Sequence, residues 1–275
     1  MIKQNLHTHS TYCDGKDTIT EMIETAIEKG FTKLGFSGHI HVGIDDGSMS
    51  EQGQKQYIEE VLQKKEEYKD KIEIYLGIEQ DTLARLSKKD PFQYIIGSVH
   101  FLEKDGQYMP VDYDEATSVK MVEQWFDNDF LAYAKQYYKT VAVQADWEEV
   151  DIIGHIDLLT KYNESEKYIS FTNPEYIKAA CDCIDALVSK GKMLEVNTGA
   201  IARGYRKTPY PEKHLLQYIY EKGGKIMLNS DCHNRFKLDC DYENSMNMIK
   251  QCGFKTMMTF TDEGFKELPI EEFTI

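Results

Sequence analysis

The chain has 275 residues, of which 41% are hydrophobic, and it carries a formal net charge of −15. An α/β barrel commonly reaches this length as one domain, so a single domain is the simplest expectation. The acidic balance disfavours a broad nucleic-acid-binding surface, which needs clustered lysines and arginines, and no run approaches the roughly 20 apolar residues that span a bilayer.

Short apolar runs that end in a histidine or a carboxylate recur seven times along the chain. Runs of apolar, β-branched or aromatic residues bounded by turn formers predict buried strands. The runs are residues 2–6 before His7 and His9, 33–36 before His39, 72–78 before Glu79, 94–99 before His100, 152–154 before His155, 193–194 before Glu195 and Asn197, and 226–228 before Asp231 and His233. Seven strands that each end in such a side chain predict a barrel with its active site on one face.

Helical segments are predicted between these strands. Thr18 can cap a helix that ends at Gly30, and Pro174 can begin another that ends at Gly191. Further helices are expected at residues 53–69, 211–223 and 242–253, and the aromatic segment 114–150 is expected to form two helices or one broken helix. No repeat or linker interrupts this pattern, so we expect residues 1–275 to form a single domain.

The histidines are concentrated at the predicted strand ends. His7 and His9 are two residues apart on an extended segment, so both imidazoles point to one side and can reach one ion. Six of the eight histidines lie just past a predicted strand: His7, His9, His39, His100, His155 and His233. This joint placement indicates a metal site far more strongly than one H-x-H pair, which by itself is a weak signal.

Carboxylates complete the predicted ligand set. Asp14, Glu79 and Asp231 join the six histidines, and a mixed set of this kind suits Zn²⁺, Mn²⁺ or Fe²⁺. Nine ligands exceed the need of one ion, so we expect three divalent ions, with a carboxylate bridging two of them. The alternative for Asp14 and Asp231 is a helix-capping or surface role.

The ordered motifs resemble those of the PHP (polymerase and histidinol phosphatase) superfamily. They are His7-Thr8-His9, Asp14-Gly15, Gly38-His39, Gly77-Ile78-Glu79, Gly97-Ser98-Val99-His100, Gly154-His155-Ile156-Asp157 and Ser230-Asp231-Cys232-His233. The chain length is similar to that of the stand-alone phosphatases of this superfamily. The resemblance implies a distorted, TIM-like (β/α)7 barrel, a trinuclear metal centre and L-histidinol phosphate as the small-molecule substrate.

The resemblance also implies how the ligands are shared. The first ion is expected at His7, His9, Glu79 and Asp231, with Glu79 bridging to a second ion at His100 and His155, and a third ion is expected at Asp14, His39 and His233. Several relatives place a histidine near position 14 or 15, where this chain has Asp14-Gly15. The third ion is therefore expected to bind more weakly or to differ in identity.

Such a site suits the hydrolysis of phosphomonoesters. Two ions a few Å apart can activate water and neutralise charge on the phosphoryl group, and a further cation must hold the remaining oxygens. Arg203 follows the sixth strand and can grip phosphate with its planar guanidinium, and Arg206 is the second choice. The alternative is that both arginines belong to a solvated loop.

Three groups are candidates to protonate the leaving alkoxide: a metal-bound water, His41 and Asp157. The sequence does not decide among them. Asp45 and Asp46, with Glu51, form an acidic loop after the second strand, which we expect to receive the ammonium and imidazole of the substrate. Acidic loops are otherwise simply solvated.

Other functions stay open. A nuclease or nucleotide phosphoesterase of the same superfamily would need more basic surface than this chain has, and a protein-tyrosine phosphatase of similar fold is another rival. A metal-binding regulatory or storage protein would need closed coordination and no phosphate clamp. The sequence leaves the oligomeric state open.

Two features concern the cellular compartment. The six cysteines form no C-x-x-C pair, and residues 1–4 do not form an apolar signal region. We therefore expect free thiols, no cleaved leader and a cytoplasmic protein.

Overall fold

The computed structural model describes residues 1–87 and 89–275. Within these residues, seven strands form one parallel sheet. Numbered along the whole chain, they are β1 (Gln4–Asn5), β2 (Lys33–Phe36), β3 (Glu73–Asp81), β4 (Tyr94–Ser98), β7 (Ile152–Ile153), β8 (Met193–Asn197) and β9 (Lys225–Asn229), in that order across the sheet.

The two edges of this sheet meet. Thr8 and Cys232 form a parallel bridge beyond the ends of β1 and β9. The His9 amide donates to the Cys232 carbonyl at 3.0 Å, and the Cys232 amide donates to the His7 carbonyl at 3.2 Å. The sheet is therefore nearly closed, which confirms the predicted seven-stranded barrel.

Helices connect the strands close to the predicted positions. Thr18 caps α1 (Ile19–Glu28) through a capping box with Glu21. The aromatic segment forms two helices, α3 (Glu115–Phe126) and α4 (Phe130–Ala142), followed by a 3₁₀ turn. The remaining helices are α2 (Glu51–Tyr68), α5 (Pro174–Ser189), α6 (Gly199–Ala202), α7 (Lys213–Glu221) and α8 (Tyr242–Gln251).

Two antiparallel hairpins lie outside the predicted strands. β5 (Phe101–Lys104) and β6 (Gln107–Pro110) extend the loop after β4, and β10 (Thr256–Thr261) pairs with β11 (Gly264–Pro269). β5, β6 and β11 are partly exposed, and threonines interrupt the apolar run of β10, so the apolar signal of these strands is weaker than that of the buried barrel strands.

Two apolar layers support the barrel. The larger lies between the sheet and the helices and draws on residues from Ile19 to Ile270. The smaller lies inside the barrel, and Gly77 makes room for it, because a Cβ at this position would lie 2.2 Å from Cζ of Tyr94. Its members are Leu6, Tyr75, Tyr94, Ile96, Ile152, Met193, Met227, Met258 and Phe260. Since the last two belong to β10, the final hairpin closes the amino end of the barrel.

Among the described residues, no helix combines the length and the apolarity needed to cross a membrane.

Candidate metal centre

The side chains that follow the barrel strands converge at the carboxyl end of the barrel, because parallel strands all end at one edge. Within the described residues, three groups bring metal-type ligand atoms to within 4.8 Å of one another. They overlap: His9 with Asp14, His39 and His233; His7 with His9 and Glu79; and His39 with Glu79 and His100. The cluster is therefore one continuous site.

Glu79 lies at the centre of this cluster and is fully buried near the end of β3. Its two oxygens face different imidazoles. Oε2 lies 3.2 Å from His7 Nε2, 3.5 Å from His9 Nε2 and 2.9 Å from His39 Nδ1, whereas Oε1 lies 3.1 Å from His155 Nε2 and 3.4 Å from His100 Nε2. A carboxylate placed between two sets of imidazoles has the geometry to bridge two ions.

Buried polar atoms that lack a hydrogen-bond partner indicate whether a cation would fit among these residues. Within the described part of the chain, His7 Nε2, His9 Nε2 and Glu79 Oε2 are buried and make no hydrogen bond. Leaving three polar atoms unsatisfied is costly unless another group satisfies them. All three residues belong to one of the ligand groups, so a divalent ion fits here.

The electrostatics of the cluster also favour a bound cation. Burial would raise the pKa of Glu79, but the imidazoles of His7, His39 and His100 hold this pKa well below its ordinary value. Burial, with His233 and His39 nearby, lowers the pKa of His9 to about 3. Near pH 7, Glu79 is therefore ionised and His9 is neutral, the states that metal binding requires. Burial would lower the pKa of His7, His39 and His100, but the neighbouring carboxylates outweigh burial and raise it, so these imidazoles would release protons when a metal binds.

Asp14 joins the cluster from the loop after β1. Its Oδ2 lies 3.1 Å from His233 Nε2, and its Oδ1 lies 3.6 Å from His39 Nε2 and 3.8 Å from His9 Nδ1. Burial would raise the pKa of Asp14, but His233 and His39 lower it far below its ordinary value. The residue after Asp14 is a glycine for a steric reason, because a Cβ on Gly15 would lie 2.5 Å from the Ser10 nitrogen.

Asp231 enters the cluster from the loop after β9. Its Oδ1 lies 3.2 Å from His9 Nε2 and 3.7 Å from His7 Nε2. The short 3₁₀ helix that follows is capped by Asn234, whose Oδ1 accepts from the Phe236 amide at 3.0 Å. The capping alternative for Asp231 is therefore not observed.

Arg203 reaches the cluster from the end of α6, directly after β8. Its Nη2 donates to Asp231 Oδ2 at 3.1 Å, and its Nη1 lies 3.0 Å from His233 Nδ1. Gly199 permits this arrangement, because a Cβ there would lie 2.6 Å from Asp231 Oδ2 and 3.0 Å from Arg203 Nη2. The structure thus brings Arg203 beside the predicted ligands.

Arg206 and Asp157, by contrast, do not face the cluster. The Arg206 side chain is completely buried, where it pairs with Glu212 and donates to the Thr160 carbonyl at 3.2 Å. Asp157 is also fully buried, and its Oδ2 accepts from the Glu212 amide at 2.8 Å. Burial raises the pKa of Asp157 to about 6. Neither side chain therefore lies where it would contact a phosphate or a leaving group at the cluster, and the geometry favours neither of the two predicted roles.

His41, Asp45 and Asp46 lie on the loop after β2. His41 Nδ1 donates to the Met49 carbonyl at 2.8 Å. The loop borders the Asp14 side of the cluster, because a Cβ on Gly47 would lie 3.8 Å from Cβ of Asp14. In the described part of the chain, these three side chains make no hydrogen bond or ion pair to the predicted ligands, so their roles stay predictions.

Three supporting residues were not among the predicted site residues. Ser98 Oγ donates to Glu79 Oε1 at 2.6 Å. Asp81 Oδ2 accepts from the His100 amide at 2.7 Å, and Glu195 Oε1 lies 2.7 Å from His7 Nδ1. A signal for two of them is present in the sequence, since Asp81 follows Glu79 by two residues and Glu195 stands at the end of a predicted strand.

Comparison with known proteins finds relatives that cover nearly the whole chain. A histidinol-phosphatase from Bacillus subtilis is 26% identical over 265 residues, which cover 88% of this chain and 98% of that protein. A histidinol-phosphatase from Lactococcus lactis is 26% identical over 271 residues, which cover 95% of each.

Solved structures share the fold. The histidinol phosphate phosphatase of Lactococcus lactis, complexed with zinc, L-histidinol and phosphate, has a TM-score of 0.72 at 24% identity and covers 96% of this chain and 98% of its own. A structure from Listeria monocytogenes has a TM-score of 0.76 at 19% identity, and the match covers 88% of this chain and 99% of that one. Residues 5–199 match the PHP domain, and the chain therefore belongs to the PHP domain family.

Proposed function

We propose that this protein is a metal-dependent phosphomonoesterase that hydrolyses L-histidinol phosphate to L-histidinol and phosphate. The observation that carries the reaction type is Glu79, whose two oxygens face separate sets of imidazoles. The PHP domain, the two histidinol-phosphatases of similar length, and the neighbour complexed with L-histidinol and phosphate support the substrate.

We assign three divalent ions to the centre. Zinc is the first choice, because the Lactococcus neighbour contains it, and manganese or iron suits the same ligand types. The three overlapping groups of ligand atoms support the number. The proposed ligands are His7, His9, Asp14, His39, Glu79, His100, His155, Asp231 and His233.

When bound, divalent ions in such a centre lower the pKa of coordinated water and neutralise charge on the phosphoryl oxygens. The protein determines the direction from which the ester arrives. His7, His9 and Glu79 have no exposed side-chain surface, whereas the side chains of His39 and His233 are 16% and 15% exposed. The ester therefore approaches over the partly exposed imidazoles, at the side where Arg203 lies.

Arg203 binds the phosphoryl group from this side. Its side chain is 28% exposed, and Asp231 fixes one edge of the guanidinium. A guanidinium carries five N–H donors, so donors remain for phosphate oxygens. Arg203 then holds the oxygens that the metal ions leave free and stabilises the charge that builds up on them in the transition state.

His41 is the side chain that we propose for proton transfer to the leaving alkoxide. Its Nδ1 is committed to the Met49 carbonyl, which leaves Nε2 as the atom for proton exchange. Asp45 and Asp46 stand on the same loop, and we propose that they receive the cationic end of the substrate. The position of Gly47 of this loop beside Asp14 supports both roles.

We also propose that residues 1–275 act as one domain in the cytoplasm, without nucleic acid as a partner. The large apolar core supports the first point, because it includes residues from α1 to the last 3₁₀ turn. The cysteines support the second point, since the six in the described residues are free thiols.

Phosphate release after reconstitution with zinc, manganese or iron tests the proposed function. We expect the highest kcat/KM for L-histidinol phosphate in a panel that includes nucleoside monophosphates, phosphotyrosine and an oligonucleotide. A metal-loaded protein that releases phosphate from no monoester would favour a regulatory or storage role. Preferred hydrolysis of the oligonucleotide or of phosphotyrosine would favour the corresponding rival enzyme.

A further inference from the structure

Glu195 is a buried carboxylate that accepts four hydrogen bonds directly behind the metal centre. It lies in β8 and has no exposed surface. Oε1 accepts from His7 Nδ1 at 2.7 Å and from Asn229 Nδ2 at 3.0 Å. Oε2 accepts from the His155 amide at 3.0 Å and from Asn197 Nδ2 at 2.8 Å.

The two asparagine donors cannot be reversed. Asn197 Oδ1 accepts from the Gly199 amide at 2.8 Å, and Asn229 Oδ1 accepts from the Leu6 amide at 2.8 Å. A backbone amide can only donate, so each asparagine must keep its oxygen toward that amide and its NH₂ group toward Glu195. With the His155 amide, Glu195 therefore faces three donors of fixed direction.

This arrangement selects the state of His7. Its Nδ1 must carry the proton that Glu195 accepts, which leaves Nε2 as the nitrogen for a metal. Nε2 lies 3.2 Å from Glu79 Oε2 and 3.7 Å from Asp231 Oδ1, and it makes no hydrogen bond within the described residues. We propose that Glu195 is a positioning residue, which fixes the tautomer and the ring orientation of His7 for metal binding.

Glu195 also joins two parts of the centre. His7 faces Glu79 Oε2, whereas His155 faces Glu79 Oε1, and Glu195 binds both of these segments from behind. One carboxylate therefore sets the spacing between the ligands on the two sides of the bridging glutamate. The inference rests on the proposed metal-dependent function, but it concerns metal binding and not the identity of the substrate.

Glu195→Gln is the sharpest test, because it keeps the shape and removes one acceptor. The new NH₂ group must point either at the fixed His155 and Asn197 donors or at Asn229 and His7. In the second case, His7 Nδ1 would have to accept, and the proton would move to the nitrogen that should bind the metal. We expect zinc affinity, measured by competition with a chromogenic chelator, to fall about 10- to 100-fold.

Further measurements separate positioning from a general structural role. We expect Glu195→Gln to lower kcat more than it raises KM, and Glu195→Asp to restore zinc affinity in part. Asp239→Asn is the control, because Asp239 accepts from Lys3 and Lys29 away from the centre and should leave zinc affinity unchanged. Unchanged zinc affinity in Glu195→Gln would overturn the proposal, even if the protein proved inactive on L-histidinol phosphate.

A readout on the unmodified protein does not depend on how the variants fold. Proton–nitrogen correlation spectra of the zinc-loaded protein should show His7 protonated at Nδ1 and without a proton at Nε2. A His7 ring protonated at Nε2 would overturn the proposal.

Discussion

Arg203 and Asp231 form an ion pair at the mouth of the barrel, with Nη2 and Oδ2 3.1 Å apart. Burial would raise the pKa of Asp231, but Arg203 and His7 hold this pKa well below its ordinary value. The pair orients a carboxylate that faces the cluster and, on the proposed function, a guanidinium that would face the incoming ester. Metal binding and phosphate binding would then be carried by two different side chains that contact each other.

Arg203→Ala should separate these two tasks. Losing a charge-assisted, partly buried phosphate contact should cost roughly 2–4 kcal/mol of transition-state stabilisation, or about 30- to 1,000-fold in kcat/KM. The metal content, measured by elemental analysis, should not change, and inhibition by inorganic phosphate should weaken in parallel. Arg203→Lys should recover activity only in part, since an ammonium lacks the planar fork.

Arg235→Ala is the matched control for this experiment. Arg235 lies in the loop after β9 and pairs with Glu21 at 2.8 Å, so its loss should leave kcat/KM unchanged. Unchanged kinetics and unchanged phosphate inhibition in Arg203→Ala would place the phosphate clamp elsewhere.

Glu79→Gln should cost more activity than substitution of any single histidine ligand by alanine, because Glu79 faces two sets of imidazoles at once. We expect the variant to retain fewer divalent ions and to lose at least about 100-fold in kcat, the scale of one electrostatic contact to the transition state. Glu73→Gln is the control, since Glu73 begins the same strand and pairs with Lys33. Near-normal metal content and turnover in Glu79→Gln would exclude a bridging role.

Gly199→Ala should impair catalysis by a steric effect alone, because it changes no charge and no hydrogen-bonding group. The added methyl group would lie 2.6 Å from Asp231 Oδ2, so the pair with Arg203 must shift. Displacements of this kind typically cost about 10- to 100-fold in rate, and steady-state kinetics should show it in kcat/KM. Gly43→Ala is the control, because a Cβ there meets nothing within 4 Å. Equal kcat/KM values for the two variants would show that the Arg203–Asp231 pair can shift without loss of activity.

His214 should make the fold sensitive to acid. Burial lowers the pKa of His214, and the nearby Glu212 and Glu166 offset this only in part. The unfolded chain therefore binds the proton more readily, so this contribution to stability is present above the ordinary histidine pKa of about 6.5 and is lost as pH falls. Urea unfolding should show wild type losing free energy of unfolding relative to His214→Gln between pH 7.5 and 5.5. A difference that does not vary with pH would contradict this.

The barrel and the polar side chains that gather at its carboxyl end could be predicted because both leave local signals. Buried parallel strands are nearly continuous apolar runs, and most of the proposed ligands stand at or shortly after the end of one of them. Residues 72–78 before Glu79 illustrate this, since burial on both faces of the strand leaves little choice of residue type. The final hairpin was missed because threonines interrupt the apolar run of β10 and because β11 is largely exposed.

The roles of the residues around the proposed ligands could not be predicted, because they depend on contacts between residues that are distant in the sequence. Arg203 and Arg206 lie three residues apart, and only the fold of the short α6 turns one toward Asp231 and the other toward Glu212. Glu195 was recognised as a strand end. That it lies behind His7 follows from the 2.7 Å distance between Glu195 Oε1 and His7 Nδ1, two atoms of residues 188 positions apart in the chain.

In the described part of the chain, the hairpin of β10 and β11 covers the amino end of the barrel. Met258 and Phe260 fill the end opposite the metal centre, and Gln4 holds the hairpin there by donating to the Met258 carbonyl at 2.8 Å. On the proposed function, ester, water and both products would pass through the mouth at the carboxyl end. If Arg203 and the metal ions hold the phosphate as proposed, we expect it to leave after the alcohol. Inorganic phosphate should then compete with the ester for the free enzyme, whereas the alcohol should bind the enzyme that still holds phosphate.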